Sequence, residues 1–268
     1  MPKKTDQVRA LFESPNQYLD RRTFDIAIRA EVVEYFTRGR RFEHALDIGC
    51  GNGAISLPLL PRCRRLTLLD LSQSMLSLAH SRVPSERAAD VTMIRGDFCA
   101  AELPPRSFDL ICCIGVLAHV TSPAEVVRKI RQLATPDALI ILEFTDSFHF
   151  WGIPVVLYQN LLRLMRPQPY PLNRLRKAEV LELCNQNGLI LNESYRYGLP
   201  PLGSSLFFNQ AQMGGITQRL FGPANRNRNR WMGNQFICSL TPAFQNGTVE
   251  IRDSIMEERN AELQSEEA

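Results

Sequence analysis

Three alternate glycines, Gly49, Gly51 and Gly53, follow an apolar run and precede a helical pattern. Because glycine adopts positive φ and has no Cβ, a ligand can approach the backbone of such a turn closely. The main-chain N–H groups at the start of the following helix are where nucleotide-type ligands bind in such units. Asp70 ends the next apolar run, which suits a carboxylate that accepts hydrogen bonds from ribose hydroxyls. The spacing therefore predicts a nucleoside-binding site.

Two families of nucleoside-binding proteins fit this layout. The dinucleotide-binding pattern G-x-G-x-x-G/A is satisfied literally by Gly49, Gly51 and Ala54. However, the acidic Asp47 lies inside the first predicted strand. With this residue, the segment 46–53, Leu-Asp-Ile-Gly-Cys-Gly-Asn-Gly, resembles the first motif of the class I S-adenosylmethionine-dependent methyltransferases, in particular those that act on small molecules.

Later segments resemble the same family, in the family's order. Asp70 is similar to its ribose-binding acid. Three further segments resemble the adenine-contacting loop, the fourth strand with the segment after it, and the fifth strand: 95–98, 107–120 and 138–143. The resemblance covers residues 40–146 and extends more loosely over 175–241. It implies a methyltransferase with S-adenosylmethionine as cofactor and S-adenosylhomocysteine as product.

The family resemblance also implies which residues contact the donor. Gly51 and Gly53 admit its methionine part, Asp70 accepts from the ribose, and Asp97 accepts from the adenine amino group. Tyr18 and Arg22 share one face of an N-terminal helix that closes the site in related enzymes, although an ordinary exposed face is the alternative. The full expected set is Tyr18, Arg22, Asp47, Gly49, Cys50, Gly51, Asn52, Asp70, Leu71, Asp97, Phe98 and Ile114.

His119 and Glu143 are the candidate catalytic residues. His119 follows the fourth strand, and a histidine can deprotonate a hydroxyl near neutral pH. The alternative for His119 is a helix-capping or core histidine. Glu143 and Asp146, at the end of the fifth strand, are alternatives that would orient or deprotonate an acceptor, and His149 is a weaker one. No cluster of residues has metal-ligand spacing, so no metal is expected.

The expected reaction is methyl transfer to a small-molecule acceptor, apolar or anionic, by O- or C-methylation. The chain lacks the Asn-Pro-Pro-Tyr signature of methylases that act on amino groups of nucleobases and glutamine. Three alternatives stay open: a non-catalytic binding protein of the same fold, a methyltransferase for a lipid, quinone or lipid-linked sugar at a membrane surface, and an NAD enzyme.

Composition limits the class of protein. The 268 residues carry a net charge of +3, too small by itself to indicate nucleic acid. The seven cysteines form no C-x-x-C pair, which is typical of reduced core thiols in a cytoplasmic protein. The N-terminus lacks the apolar core of a signal peptide, and no run approaches the roughly 20 apolar residues of a membrane span. A monomer or homodimer, with peripheral membrane contact as an option, is expected.

Strands that alternate with helices predict an α/β fold. We expect a Rossmann-like doubly wound sheet, mostly parallel with an antiparallel last strand, with helices on both faces and a lid formed by insertions. The expected strands are 44–48, 65–70, 91–94, 108–113, 138–144, 189–196 and 235–241. Helices are expected at 16–38, 54–60 and 177–187. Ser72 is expected to cap a further helix that ends at His80, and another helix is expected to begin at Pro123.

The domain organisation is predicted as a flexible arm over 1–15, a methyltransferase domain over 16–243 and an acidic tail over 244–268. Two insertions interrupt the domain. The first, 147–172, is apolar and aromatic, and the second, 198–233, is rich in Gly, Asn and Arg. We expect both to roof the acceptor pocket, with a dimer or membrane contact as the alternative for the first.

Overall fold

The computed structural model describes residues 4–13, 19, 23–150, 153, 170–198 and 207–243. The helices within these ranges are α1 (Lys4–Phe12), α2 (Thr23–Phe36), α3 (Gln73–His80), α4 (Pro123–Leu133), α5 (Lys177–Gln186) and α6 (Gln210–Phe221). The strands are β1 (Phe42–Ile48), β2 (Cys63–Asp70), β3 (Val91–Arg95), β4 (Phe108–Cys113), β5 (Ala134–Thr145), β6 (Leu189–Tyr197) and β7 (Gln235–Pro242).

The seven strands form one sheet in the order β3-β2-β1-β4-β5-β7-β6. The pairs from β3 to β5 are parallel, whereas β7 runs antiparallel to both β5 and β6. The strand order reverses between β1 and β4, and a crevice for a ligand forms at the carboxyl ends of strands at such a point. The predicted fold class is confirmed.

Helices cover both faces of the sheet. On one face, α4 and α5 bury apolar side chains such as Val126, Ile130 and Val180. On the other face, α2, α3 and α6 do the same with side chains that include Ile28 and Leu76. All seven cysteines are free, and six of them are buried, as expected for core thiols.

α1 corrects the mobile arm predicted over residues 1–15. Its polar sequence suggested an arm, but Val8 is buried and both ends of the helix are anchored to the domain. Lys4 Nζ donates to Val120 O at 2.9 Å, and Ser72 Oγ donates to Phe12 O at 3.0 Å. These tertiary bonds compensate for the low intrinsic stability of a helix of only nine residues.

The other described strands and helices agree with the predictions to within about two residues, with three exceptions. β5 begins at Ala134 rather than at 138, and α6 lies in the second insertion, where no helix was predicted. The helix expected at 54–60 is a 3₁₀-helix over Leu57–Arg62. Pro58 and Pro61 lack the N–H groups that a continuing α-helix would use. Ser72 caps α3 as predicted by accepting a hydrogen bond from Met75 N, and Ser122 caps α4 in the same way.

Parts of the predicted organisation lie outside the described residues. These are the start of the helix expected at 16–38, apart from residue 19, most of the first insertion and the acidic tail. In the second insertion, residues 207–233 contain α6, which packs against α2.

Candidate functional site

The turn after β1 has the backbone conformation that its glycines predict. Gly49, Gly51 and Gly53 have φ values of +69°, +53° and +71°. A Cβ on Gly49 would lie 2.5 Å from Val116 Cγ2, whereas a Cβ on Gly51 would meet nothing within 4 Å. Gly51 therefore faces open space at the carboxyl edge of the sheet, where a ligand can approach the main chain.

Asp70 is held at the end of β2 by main-chain donors. Gly51 N donates to Asp70 Oδ2 at 2.8 Å, and Ser72 N donates to Asp70 Oδ1 at 2.9 Å. Burial raises the pKa of this carboxyl, and these hydrogen bonds oppose the rise. Because each carboxylate oxygen can accept two hydrogen bonds, Asp70 keeps capacity for a further donor on each.

Asp47 is a buried carboxyl next to the glycine turn. It pairs in the sheet with Leu68 of β2 and Cys112 of β4 and is only 3% exposed. Within the described part of the chain, its Oδ2 has no hydrogen-bond partner. Burial raises its pKa to about 7, the neighbouring Ser56 hydroxyl opposes the rise, and the charge of Asp70 adds to it. Ser56 Oγ likewise has no hydrogen-bond partner in this part of the chain. A buried acceptor with spare capacity fits a cationic group such as the ammonium of the donor's methionine part.

Asp97 lies after β3 and is in contact with α1. Cys99 N donates to Asp97 Oδ1 at 2.9 Å, and Thr5 Oγ1 donates to Asp97 Oδ2 at 3.2 Å. α1 thus lies across the end of the crevice assigned by sequence to the adenine. The ring of Phe98 is buried in the core, with Lys129 Nζ 5.1 Å from its centroid, so a contact with the adenine would come from its main chain.

His119 is half-buried in the segment after β4 and is held on two sides. Its Nδ1 lies 2.7 Å from the hydroxyl of the buried Tyr170, and the ring of Phe12 packs edge-on at 5.5 Å. Asn173 fastens the same segment, since its side-chain amide donates to Leu117 O at 2.9 Å and its main-chain N donates to the neighbouring Ala118 O. The position of the imidazole is therefore fixed by long-range contacts.

Glu143 is part of a buried ionic cluster beneath the end of β4. Arg29 Nη2 of α2 lies 2.9 Å from Glu143 Oε1 and 3.4 Å from Asp25 Oδ2. Tyr197 donates its hydroxyl proton to Asp25, and the main-chain N of Gly115 donates to Glu143. Burial raises the pKa of Glu143, and Arg29 opposes the rise. The cluster ties α2, β5 and β6 to the turn that follows β4.

The remaining predicted residues divide into two groups. Cys50 and Ile114 are buried, Asn52 and Leu71 are partly exposed, and all four lie at the same carboxyl edge. Tyr18 and Arg22 lie outside the described residues. The weaker alternatives to His119 are both engaged: Asp146 lies 3.7 Å from Arg196, and His149 Nε2 lies 2.8 Å from Trp231 O.

Sequence reasoning missed four residues that shape this edge: Thr5, Arg29, Tyr170 and Asn173. Asp25 and Arg29 are four residues apart on a helix face that is otherwise apolar, and this pattern was a signal for a buried ion pair. Nothing in the sequence near Tyr170 or Asn173 indicated a contact with the segment after β4, which precedes them by about fifty residues.

The sheet order and the glycine turn at this edge are those of a Rossmann-like α/β domain, and comparison with known proteins shows what the chain is similar to. The protein-family model described as "Methyltransferase domain" matches residues 46–142, which run from β1 to β5. Over these residues the chain is similar to the class I S-adenosylmethionine-dependent methyltransferases, and this match supports a methyltransferase.

Several curated proteins with one description are similar to this chain. A "Ubiquinone biosynthesis O-methyltransferase" of Idiomarina loihiensis is 28% identical over 178 residues, which cover 62% of this chain and 72% of that protein. A protein of the same name from Pseudomonas aeruginosa is 34% identical over 98 residues, or 36% of this chain and 42% of that protein.

Solved structures share the fold at low sequence identity. The magnesium protoporphyrin IX methyltransferase of Synechocystis, with bound S-adenosylhomocysteine, superposes with a TM-score of 0.61 at 16% identity, covering 90% of this chain and all of that one. The N-methyltransferase NodS of Bradyrhizobium japonicum superposes with a TM-score of 0.55 at 14% identity, covering 84% of this chain and 90% of that one.

The described residues lack two kinds of feature. They contain no helix long and apolar enough to cross a bilayer. They also contain no group of three or more His, Cys, Asp or Glu side chains arranged to hold a metal ion.

Proposed function

We propose that this protein is a methyltransferase that acts on a hydroxyl group of an apolar small molecule and that His119 is the base. The observation that carries the proposal is the 2.7 Å contact between His119 Nδ1 and the Tyr170 hydroxyl. It holds an imidazole at the carboxyl end of β4, beside the turn at Gly115. The names of several curated relatives, which are O-methyltransferases of ubiquinone biosynthesis, support the same type of acceptor.

The donor site consists of the residues expected from the sequence. Asp70 accepts from the ribose hydroxyls with the lone pairs that Gly51 N and Ser72 N leave available, and Asp97 accepts from the adenine amino group. The orphaned oxygen of Asp47 balances the ammonium charge of the methionine part. When bound, S-adenosylmethionine supplies a methyl group already activated by its sulfonium. The protein therefore contributes mainly the position of the acceptor, in line with the carbon–sulfur bond.

The proton of the acceptor hydroxyl is the remaining requirement. For His119 to accept it at Nε2, the Nδ1–H must donate to the Tyr170 oxygen, and the hydrogen bond then fixes this tautomer. As the hydroxyl oxygen bonds to the methyl carbon, its proton moves to Nε2, and the methyl–sulfur bond breaks to leave a neutral thioether. Tyr170 is a positioning residue in this scheme.

We propose a positioning role for Glu143 as well. An ion pair with Arg29 at 2.9 Å and burial to 1% exposure leave it without access to an acceptor. Its bond from Gly115 N instead fixes the turn that forms one wall of the donor site. The two insertions, 147–172 and 198–233, remain our candidates for the acceptor roof, because the described parts of both lie near the carboxyl edge.

The test is incubation of the protein with methyl-labelled donor and a lipid extract, followed by identification of the labelled product. We expect a methyl ether. His119→Ala should lower turnover by about 10²–10⁴-fold, the usual contribution of general base catalysis, with donor affinity unchanged. Tyr170→Phe should shift the pH profile of turnover while Michaelis constants stay similar. Full turnover by His119→Ala would exclude His119 as the base and favour transfer to a carbon or to an already ionised oxygen.

A further inference from the structure

Two segments that follow β5 along the chain have a one-sided charge. Segments 147–178 and 194–243 contain ten arginine and lysine residues and no Asp or Glu. Acids lie directly beyond their ends, and two of these pair with the segments, Glu179 with Arg176 at 3.6 Å and Asp146 with Arg196 at 3.7 Å. The chain as a whole carries only +3. The basic residues of these segments that the structure describes as exposed are Arg174, Arg176, Arg219, Arg226, Arg228 and Arg230. Such segregation of charge produces a positive field on one side of the protein.

The same segments expose large aromatic side chains. Trp231 is 65% exposed and stacks on Phe150, with ring centroids 5.8 Å apart. Phe148 is 47% exposed, and the Arg176 guanidinium lies 4.1 Å above its ring. Phe207, at 80%, is the most exposed of the large apolar side chains that the structure describes. Aromatic residues interspersed with arginines are typical of proteins that lie at the interface of a bilayer.

These side chains lie at the carboxyl edge of the sheet. Phe148 and Phe150 follow β5, and Trp231 precedes the antiparallel β7. Phe207 precedes α6, whose first residue, Gln210, accepts a hydrogen bond from Thr23 at the start of α2. The edge that holds Asp70 and His119 therefore also bears these aromatic side chains. We define the aromatic-basic surface as Phe148, Phe150, Phe207, Trp231 and the six exposed arginines above.

We propose that the aromatic-basic surface docks on an anionic lipid bilayer. Charge complementarity favours this occupant, because arginines attract anionic headgroups while the aromatic rings enter the interfacial region. A second copy of the chain fits less well. A two-fold interface would bring the arginines of both copies together, and the two segments offer no acid to pair with them.

Docking in this orientation has a consequence for the acceptor. The mouth of the site would face the bilayer, so an apolar acceptor could enter without crossing water. This consequence rests on the proposed function, whereas the docking does not. Titration with S-adenosylhomocysteine tests the donor site separately, so failure of one proposal can be distinguished from failure of the other.

The experiment is co-sedimentation of the full chain with phosphatidylcholine vesicles that contain about a third phosphatidylglycerol, and with phosphatidylcholine alone. We expect sedimentation with the anionic vesicles only, and its loss at high salt. Arg226→Gln combined with Arg228→Gln should weaken partitioning about tenfold or more, because each basic side chain near such a surface contributes a factor of about five. Arg64→Gln combined with Arg65→Gln, two exposed arginines at the start of β2, is the matched charge control.

The apolar contribution is tested in the same assay. Trp231→Ser should weaken partitioning, whereas Ile190→Ser, at a 51% exposed position on β6, should not. Equal sedimentation of all variants, or equal binding to neutral and anionic vesicles, would overturn the proposal. Two other results would overturn the proposal. If the parent does not bind vesicles and Trp231→Ser changes the oligomeric state, the surface is an interface between copies. If the parent binds RNA but not vesicles, the surface binds nucleic acid.

Discussion

Replacing Asp47 with asparagine tests the role of the buried carboxyl group in the donor site. Burial raises the pKa of Asp47 to about 7, whereas an Asp in an unfolded chain titrates near 3.9. A difference of about three pKa units corresponds to roughly 4 kcal/mol against the ionised form in the folded protein. Between these two pKa values the folded state keeps a proton that the unfolded state has lost. The free energy of unfolding therefore falls as the pH rises through this window, by up to about 1.4 kcal/mol per unit, and levels off above pH 7.

Asp47→Asn removes this contribution. Denaturant titrations between about pH 5 and 8 should show the variant gaining stability relative to the parent as the pH rises, by roughly 2–3 kcal/mol over the range. A stability difference that does not depend on pH would refute the reasoning about the buried carboxyl.

The same variant tests the role of Asp47 in binding. The ammonium of S-adenosylmethionine next to the carboxylate should lower its pKa, so binding near pH 6.5 should release about half a proton or more. Calorimetry in buffers of different ionisation enthalpy measures this release, which Asp47→Asn should abolish. If the enthalpy of binding to the parent is independent of buffer, or if both proteins release the same number of protons, Asp47 does not contact the cationic group.

Four further changes test the surroundings of the site. Thr5→Val should weaken the anchoring of α1 and raise the dissociation rate of S-adenosylhomocysteine several-fold in stopped-flow measurements, and an unchanged rate would show that α1 does not cover the ligand. Arg29→Met should cost about 3–5 kcal/mol of stability, because it leaves Glu143 buried without its cation, and denaturant midpoints would show this. Glu143→Gln should cost less, since Arg29 stays 3.4 Å from Asp25, and equal losses would contradict the cluster as described. Gly51→Ala should impair donor binding measured by calorimetry while costing only about 1–2 kcal/mol of stability, the strain of positive φ with a Cβ.

The elements that carry local signals were predictable from the sequence. The glycine turn, the caps at Ser72 and Ser122 and the apolar strands depend on neighbouring residues, so their patterns can be read along the chain. Asp70 was predictable for the same reason, because it ends a strand adjacent to the glycine turn.

Long-range contacts were not predictable in this way. α1 is a polar segment whose helix is stabilised by bonds to Val120 and Ser72, which are distant in sequence. The pairing of His119 with Tyr170 joins residues 51 positions apart, and that of Arg29 with Glu143 joins residues 114 positions apart. Glu143 was therefore predicted as a catalytic candidate from its place on β5, with no sign in the sequence of the arginine that holds it.

Titration of S-adenosylhomocysteine into the folded protein tests the central claim most directly. We expect saturable binding at one site. Asp70→Ala should weaken this binding about tenfold or more, because one or two charge-assisted hydrogen bonds of about 1.5–3 kcal/mol each are lost. Asp137→Ala, at an exposed position on β5, should bind like the parent. No heat from well-folded protein, or equal affinity for the parent and Asp70→Ala, would contradict the account.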